Sequence, residues 1–293
     1  MSDRIKVLVG GATGQQGGAV ARILLQKGHS VKALTRNTES EAAVRLGESG
    51  AELVQGSFDD GDSLEQAMRG VDAVYTMSTF FEAGLEAETR QGIAVADAAH
   101  SAGVAHLVFS SVANADQKTG IPHFESKYRV EQHIRSIGVP YTVVRPVYFY
   151  ENVLTPFVLP GLMEGNLAVA IPGDRLLQQI GVQDIASFAV LALENRERFL
   201  GESIDIAADE LTGEQAARIL SEASGRTIEY VQTPLEQVRA MNEDFALNLE
   251  WLNRVGYSAD IPHLRSEFPE VEWETFEAWA RRQDWTALGG PGS

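Results

Sequence analysis

A glycine-rich segment near the start of the chain has the spacing that phosphate binding requires. Gly11, Gly14 and Gly17 stand three residues apart, between an apolar run at 4–9 and a segment whose apolar residues repeat at helical spacing. In such a strand–loop–helix unit, the first glycine allows a sharp turn, the second lets a pyrophosphate approach the backbone, and the third allows close helix–strand packing. N–H groups at the start of the helix attract the phosphate charge. We therefore predict that a dinucleotide is bound by Gly11, Thr13, Gly14, Gln15, Gln16 and Gly17.

The end of the next predicted strand indicates which dinucleotide fits. NAD-selective sites usually carry an acidic residue there, which accepts a hydrogen bond from the ribose hydroxyl. Here the strand ends Leu34-Thr35-Arg36, so a guanidinium stands in place of the acid. A planar guanidinium suits a phosphate, and no acid at this point repels one. Arg36 therefore favours NADP(H), although an arginine at a strand end can also be simply solvated.

Two further strand ends carry polar or aromatic side chains. Asp59 follows the third predicted strand, where it either meets the adenine edge or caps the helix that follows. Ser78, Thr79 and Phe80 follow the fourth strand, in the crevice at the carboxyl ends of the strands where such sheets bind ligands. We include all four residues among the predicted cofactor contacts.

Five short motifs, in this order, resemble those of one family. They are GGATGQQGG, LTRN, AELVQGSFDD, HFESK and VRPVYFYEN. The chain resembles NmrA-like proteins of the HSCARG type, which are atypical short-chain dehydrogenases/reductases, over nearly its whole length. The resemblance implies an NADP(H)-binding Rossmann domain beside a small second lobe. It also implies that Lys127 lies near the nicotinamide ribose, that Asn152 contacts the nicotinamide side, and that Arg90 stands where the family has a basic residue.

The HFESK motif raises the question of catalysis. Short-chain dehydrogenases use Tyr-x-x-x-Lys, whose spacing puts both side chains on one helix face, where the lysine lowers the pKa of the tyrosine. Here His123 replaces the tyrosine and Lys127 keeps the spacing. Ser110 or Ser111 ends the fifth strand, where the superfamily keeps its carbonyl-polarising serine, and we select Ser111. A Ser/His/Lys site is one hypothesis; a ribose-binding lysine beside a non-catalytic histidine is the other, and Lys127 could also pair with Glu131.

Strands and helices alternate through residues 1–150, which predicts six βα steps and parallel strand pairing. We predict an α/β fold with a Rossmann-type, doubly wound parallel sheet in residues 1–150 and a smaller α/β second lobe in residues 151–293. The pattern at 203–208 predicts a strand that returns to the sheet. Helices are predicted further on at 184–195, 212–224, 234–253 and 271–285. Residues 287–293 have the composition of a flexible end.

Composition excludes several other classes of protein. The 293 residues include no cysteine, which rules out disulfides and thiolate chemistry. The formal net charge is −17 and no lysine follows Lys127, so direct nucleic-acid binding is not expected. No apolar run approaches the roughly 20 residues that span a membrane, and no signal peptide is recognisable, so we expect a cytoplasmic protein. The histidines are scattered without carboxylates at ligand spacing, so no metal site is predicted.

Two functions from different classes fit these residues. The first is an NADPH-dependent oxidoreductase that transfers hydride to a small neutral acceptor, either quinone-like or a carbonyl compound. Aromatic residues that either line its pocket or belong to the core are Phe80, Phe81, Tyr148, Phe149 and Tyr150. The second is a non-catalytic NADP(H) sensor that acts through a regulatory protein partner, which His123 in the tyrosine position favours. A homodimer is compatible with either function.

Overall fold

The computed structural model describes residues 4–288 and divides the chain into two compact units. Unit 1 runs up to Lys118 and continues with Pro122–Arg145 and Ile185–Asp205. Unit 2 comprises Thr119–Ile121, Pro146–Asp184 and the chain from Ile206 onward. The division differs from a single boundary after residue 150, because 185–205 adds helical residues and an edge strand to unit 1. Most of the end predicted at 287–293 lies outside the described residues.

The regular elements follow one another along the chain without long irregular stretches. The strands are β1 (Lys6–Val9), β2 (Ser30–Thr35), β3 (Glu52–Gln55), β4 (Ala73–Met77), β5 (His106–Ser110), β6 (Tyr141–Pro146), β7 (Tyr148–Phe149), β8 (Asn166–Val169), β9 (Leu176–Ile180), β10 (Ser203–Ile206), β11 (Asp209–Thr212) and β12 (Glu229–Gln232). The α-helices are α1 (Gln15–Gln26), α2 (Glu41–Glu48), α3 (Gly61–Met68), α4 (Leu85–Ser101), α5 (Pro122–Ile137), α6 (Leu159–Met163), α7 (Val182–Glu194), α8 (Arg196–Phe199), α9 (Gly213–Ser224), α10 (Leu235–Met241), α11 (Glu243–Arg254), α12 (Ile261–Glu267) and α13 (Phe276–Arg282).

Unit 1 contains the predicted doubly wound sheet. Its seven strands lie in the order β3-β2-β1-β4-β5-β6-β10, and the neighbouring pairs from β3 to β6 are parallel. The strand predicted at 203–208 is observed as β10, at the edge of this sheet beside β6. The strand order reverses between β1 and β4, and in open α/β sheets the crevice at this reversal is where ligands bind.

The core of unit 1 explains why these segments form a sheet covered by helices. Most residues of β1, β2, β4, β5 and β6 are buried, as expected of parallel strands that are covered on both faces. Helices α3, α4 and α5 close one face over a cluster that includes Leu8, Leu64, Val74, Val95, Phe109 and Val130. Gly92 allows α4 to approach α5 closely, because a Cβ there would lie 2.6 Å from a methyl carbon of Val130. This packing fixes α5, which carries His123 and Lys127, relative to α4.

Unit 2 departs further from the sequence prediction. It holds a three-stranded sheet, β11-β9-β7, and a two-stranded parallel sheet, β12-β8, and none of these five strands was predicted from the sequence. The helix predicted at 234–253 is two helices, α10 and α11, because the Asn242 side chain caps α11 by accepting the Phe245 N–H. The helix predicted at 271–285 is shorter and begins at Phe276, after Thr275 caps it. Within residues 4–288, no helix has the length and apolarity to cross a membrane.

Candidate functional site

The glycine loop between β1 and α1 has the geometry that its spacing predicts. Gly11 has a φ of +63°, in the left-handed region that favours glycine. A Cβ on Gly17 would lie 2.4 Å from the Gly11 carbonyl oxygen, so only glycine permits this approach of helix to loop. Gly14 is the N-cap of α1 and lies exposed, with no side-chain cap among the described residues. The N–H groups of the first helical turn therefore face outward, as an anion site requires.

The side chain of Gln16 connects this loop to two strand ends. Its Oε1 accepts hydrogen bonds from the Ser110 hydroxyl at 2.8 Å and from the Tyr75 hydroxyl at 3.4 Å. Ser110 and Tyr75 are both buried, so these bonds fix the Gln16 side chain on the buried side of the loop. Thr13 and Gln15, on the same loop, are exposed. The structure therefore brings Ser110, and not Ser111, to the base of the glycine loop.

Ser111 belongs to a different cluster, which corrects the choice made from the sequence. Its hydroxyl donates to the Glu131 carboxylate at 2.6 Å. Glu131 is fully buried and also accepts from Arg145 Nη2 at 2.6 Å and from Arg135 at 2.8 Å. Successive residues at a strand end point to opposite faces, which separates Ser110 from Ser111. Ser111 therefore serves a buried ion-pair network and is not gathered with His123 and Lys127.

Lys127 lies at the carboxyl edge of the sheet in contact with α4 and with the end of β4. Its Nζ donates to the Ser78 carbonyl at 2.7 Å and to the Glu88 carboxylate at 2.8 Å. The alternative prediction, that Lys127 pairs with Glu131, is wrong, because the Glu131 carboxylate forms ion pairs with Arg135 and Arg145. Glu88 is 0% exposed and also accepts from the Ser126 hydroxyl. Sequence reasoning missed Glu88; its signal was an acid among the small and apolar residues that α4 buries.

His123 precedes Lys127 by one helical turn and lies against the segment after β4. Its ring stacks on Phe80, with centroids 5.1 Å apart and an interplanar angle of 27°. Phe80 also stacks on Phe81, which is exposed. Nearby, the Ser78 hydroxyl is buried and has no hydrogen-bond partner among the described residues. The structure therefore brings Ser78, Phe80, His123 and Lys127 together, and their roles toward a cofactor or substrate stay predictions.

The ends of β2 and β3 carry charged residues in pairs. Arg36 is exposed and forms an ion pair with Glu82 at 2.7 Å. Asp59 accepts hydrogen bonds from Arg90 at 3.1 Å and from Gln91 at 2.9 Å. These two bonds lower the pKa of Asp59, and the bond from Arg90 has the larger effect. The alternative that Asp59 caps the next helix is wrong, because the N-cap of α3 is Asp60.

Asn152 lies in unit 2. It belongs to a 3-10 turn, Tyr150–Leu154, and is partly buried. Burial raises the pKa of the neighbouring Tyr148 hydroxyl to about 12, although a hydrogen bond with Asn152 partly opposes this shift. Tyr150 is fully buried and packs on Phe276, so it belongs to the core of this unit. The role predicted for Asn152 stays a prediction.

Two histidines outside the site, His29 and His106, contact polar groups within unit 1. His29 Nε2 lies 2.9 Å from Glu194, and His106 Nε2 lies 2.8 Å from the Thr142 hydroxyl. Burial lowers the pKa of His106 to about 4, which keeps it neutral at physiological pH. Across residues 4–288, no group of three or more histidine and acidic side chains is arranged to hold a metal ion.

Comparison with known proteins gives this arrangement a family. The (4-alkanoyl-5-oxo-2,5-dihydrofuran-3-yl)methyl phosphate reductase of Streptomyces griseus is 31% identical over 235 residues, covering 80% of this chain and 79% of the relative. The fold is similar to that of an NADPH-dependent quinone oxidoreductase of Escherichia coli complexed with NADPH, with a TM-score of 0.78 at 21% identity, covering 94% of this chain and 98% of the other. It is also similar to NmrA, a negative transcriptional regulator, in complex with NADP, with a TM-score of 0.76 at 20% identity over 95% of each chain.

The family assignment rests on nearly the whole chain. The sequence profile described as the NmrA-like family matches residues 3–280. The match includes the glycine loop, the Arg36 strand end and the HFESK helix, which carry motifs of this family. The chain belongs to the NmrA-like family of NAD(P)-binding oxidoreductase-type proteins.

Proposed function

We propose that this protein is an NADPH-dependent oxidoreductase that transfers hydride to a small, neutral, planar acceptor such as a quinone. The observation that carries the proposal is the cluster of Ser78, Phe80, His123 and Lys127 at the carboxyl edge of the sheet. Met77, directly before Ser78, lies against the glycine loop, since a Cβ on Gly11 would meet its sulfur at 3.4 Å. A dinucleotide held at its diphosphate by this loop would therefore extend toward the cluster.

The residues fit NADP(H). The Gly11–Gly17 loop and the uncapped start of α1 suit the diphosphate, and the guanidinium of Arg36 suits a 2′-phosphate. The buried Ser78 hydroxyl, without a partner among the described residues, is available to a ligand. When bound, the nicotinamide supplies the hydride, and the protein supplies binding, orientation and electrostatics.

The side chains of the cluster have distinct tasks in this proposal. Lys127 uses two N–H donors on Glu88 and Ser78, which leaves its third for a ribose hydroxyl. Phe80 holds the ring of His123 by stacking, and the exposed ring of Phe81, stacked on Phe80, offers an apolar surface to a planar acceptor. A quinone that accepts a hydride needs one proton to become a hydroquinone, and a histidine can donate a proton near neutral pH. We assign that donation to His123.

The relatives support the reductase class. A reductase that shares 31% identity with this chain and a quinone oxidoreductase of the same fold both belong to this chemistry. Because fold likeness alone does not establish an activity, the proposal depends on the side-chain cluster.

Turnover and cofactor affinity should be measured on one preparation. We expect loss of NADPH absorbance with at least one member of a panel of quinones, aldehydes and dyes, above a blank without protein. Lys127→Met should remove most of this turnover, whereas Lys6→Met, which breaks an exposed pair with Glu52, should not. Equal rates for the two variants would contradict the role of Lys127.

The second candidate is a non-catalytic NADP(H) sensor that acts through a regulatory protein partner. His123 in the tyrosine position favours it, and the likeness to a transcriptional regulator complexed with NADP supports it. Tight NADPH binding without turnover of any acceptor would favour the sensor over the reductase. The cytoplasmic location and the homodimer expected from the sequence remain part of either proposal.

A further inference from the structure

Arg36, which we assign to the 2′-phosphate, already forms an ion pair with an acidic side chain, that of Glu82. Arg36 Nη1 lies 2.7 Å from one carboxylate oxygen of Glu82, and Arg36 Nη2 lies 3.1 Å from the other. Both terminal nitrogens of the guanidinium therefore contact the carboxylate, and Nη2 donates a hydrogen bond to it. The same fork geometry is the one by which a guanidinium binds a phosphate.

Glu82 reaches Arg36 from a turn that belongs to the site. The turn runs from Phe80 to Gly84 and is closed by a hydrogen bond from the Gly84 N–H to the Phe80 carbonyl, at 2.9 Å. Gly84 has a φ of +86°, which favours glycine at this position. Phe80 stacks on His123, so one short segment contacts both Arg36 and the cluster around Lys127.

The charges at this end of the site are balanced. Arg90 is paired with Asp59 as Arg36 is with Glu82, and Arg36 also helps to lower the pKa of Asp59, after the larger contributions of Arg90 and Gln91. Two cations therefore stand beside two acids. An arriving phosphate meets a site whose positive charge is already compensated.

We propose that Glu82 is a specificity-determining residue that competes with the 2′-phosphate of NADP(H) for Arg36. One guanidinium fork holds one bidentate oxyanion at a time, and a carboxylate and a phosphate repel each other. NADP(H) must therefore displace Glu82, whereas NAD(H), which has no 2′-phosphate, leaves the ion pair intact. Glu82 therefore reduces the difference in affinity between NADP(H) and NAD(H) that Arg36 creates. The inference rests on the proposed NADP(H) binding.

The size of the effect follows from exposure. The side chains of Arg36 and Glu82 are 70% and 58% exposed, so the pair is weak and easily displaced. Removing the competing charge should tighten NADPH binding by roughly two- to fivefold, the range to which an exposed ion pair corresponds. NADH affinity should not increase, because its ribose hydroxyl does not need the fork.

Calorimetric titration of the full chain with NADPH and NADH tests the proposal. The variant is Glu82→Gln, which keeps the size of the side chain and removes its charge. The matched control is Glu41→Gln, another exposed glutamate, which pairs with Arg45 on α2. We expect tighter NADPH binding for Glu82→Gln alone, with no gain for NADH in either variant.

A double-mutant cycle makes the test specific to Arg36. In an Arg36→Ala background, Glu82→Gln should tighten NADPH binding clearly less than it does in the wild type, because only the direct repulsion between carboxylate and phosphate remains to be removed. An equal gain for both cofactors, no gain for NADPH, or an undiminished gain without Arg36 would each overturn the proposal. If the wild type binds NADPH but reduces no acceptor, the proposed reductase fails while these affinities still decide the role of Glu82.

Discussion

The buried carboxyl of Asp184 in unit 2 should make this protein less stable as the pH rises. Asp184 is 3% exposed. Burial raises its pKa from 3.8 to about 7; the backbone hydrogen bond from the Glu274 N–H opposes the shift, and the charges of Glu274 and Glu151 add to it. The native state therefore favours the neutral acid at a pH where the unfolded chain has lost the proton.

The magnitude follows from the difference between the two pKa values. Below the unfolded value of 3.8, both states hold the proton and Asp184 costs nothing. Between about pH 4 and about pH 7 the unfolded state ionises first, so stability falls by roughly 1.4 kcal/mol for each pH unit. The total loss attributable to Asp184 is about 4 kcal/mol, and it is complete above about pH 7. This sign is opposite to that of an acid paired with a cation.

Asp184→Asn tests this reasoning because asparagine resembles the neutral acid and keeps an oxygen for the Glu274 N–H. We expect the variant to match the wild type at about pH 4 and to exceed its free energy of unfolding by up to about 4 kcal/mol at about pH 8. Urea unfolding followed by tryptophan fluorescence is suitable, since all four tryptophans lie in unit 2. Asp174→Asn, at an exposed position, is the control. A variant that changes stability equally at both pH values would refute the argument.

Three other substitutions test the site. Gly17→Ala should weaken NADPH binding at least about tenfold, because its Cβ would lie 2.4 Å from a backbone oxygen, whereas Gly61→Ala meets nothing within 4 Å and should bind normally in the same titration. Glu88→Gln should lower the free energy of unfolding by about 3 kcal/mol in urea, because it leaves the largely buried ammonium of Lys127 without its counter-charge. Ser111→Ala should cost about 1–2 kcal/mol of stability and leave any reductase rate unchanged; a large loss of rate would restore Ser111 to catalysis.

The sequence indicated the sheet of unit 1 well because each of its elements carries a local signal. Glycine spacing marks the loop after β1, and buried apolar runs mark strands that are covered on both faces. The partner of Lys127 could not be found in this way. Glu88 is 39 residues away on another helix, so its contact depends on how α4 packs against α5. The i,i+4 spacing within α5 suggested only Glu131 as a partner, but in the structure Glu131 forms its ion pairs with arginines, including Arg145.

The strands of unit 2 were missed for a related reason. β7 has only two residues, and β8 and β9 follow each other without a helix between them, so the regular alternation of strand and helix that indicated the similarly short β1 and β3 is absent there. The break between α10 and α11 depends on one capping side chain, Asn242, within a segment that is otherwise helical in pattern. Serine at a strand end was equally ambiguous, because Ser110 and Ser111 differ only in the face to which each side chain points.

Arg36 and Lys127, the two cations that were assigned to the cofactor, each have an acidic partner in the structure, and so has Arg90. Arg36 and Arg90 are paired with acids at exposed positions, whereas the Lys127 side chain is 13% exposed and its partner Glu88 is fully buried. An exposed ion pair can exchange its partner at little cost in free energy. Breaking a buried ion pair costs more, because it leaves a buried charge with neither a counter-charge nor water around it. In the proposed site, the adenosine end would therefore exchange carboxylate for phosphate at little cost, which is how we propose that it discriminates between cofactors. At the other end, the proposal keeps Lys127 on Glu88 and leaves its remaining donor for a ribose, so that end would be rigid before the cofactor arrives.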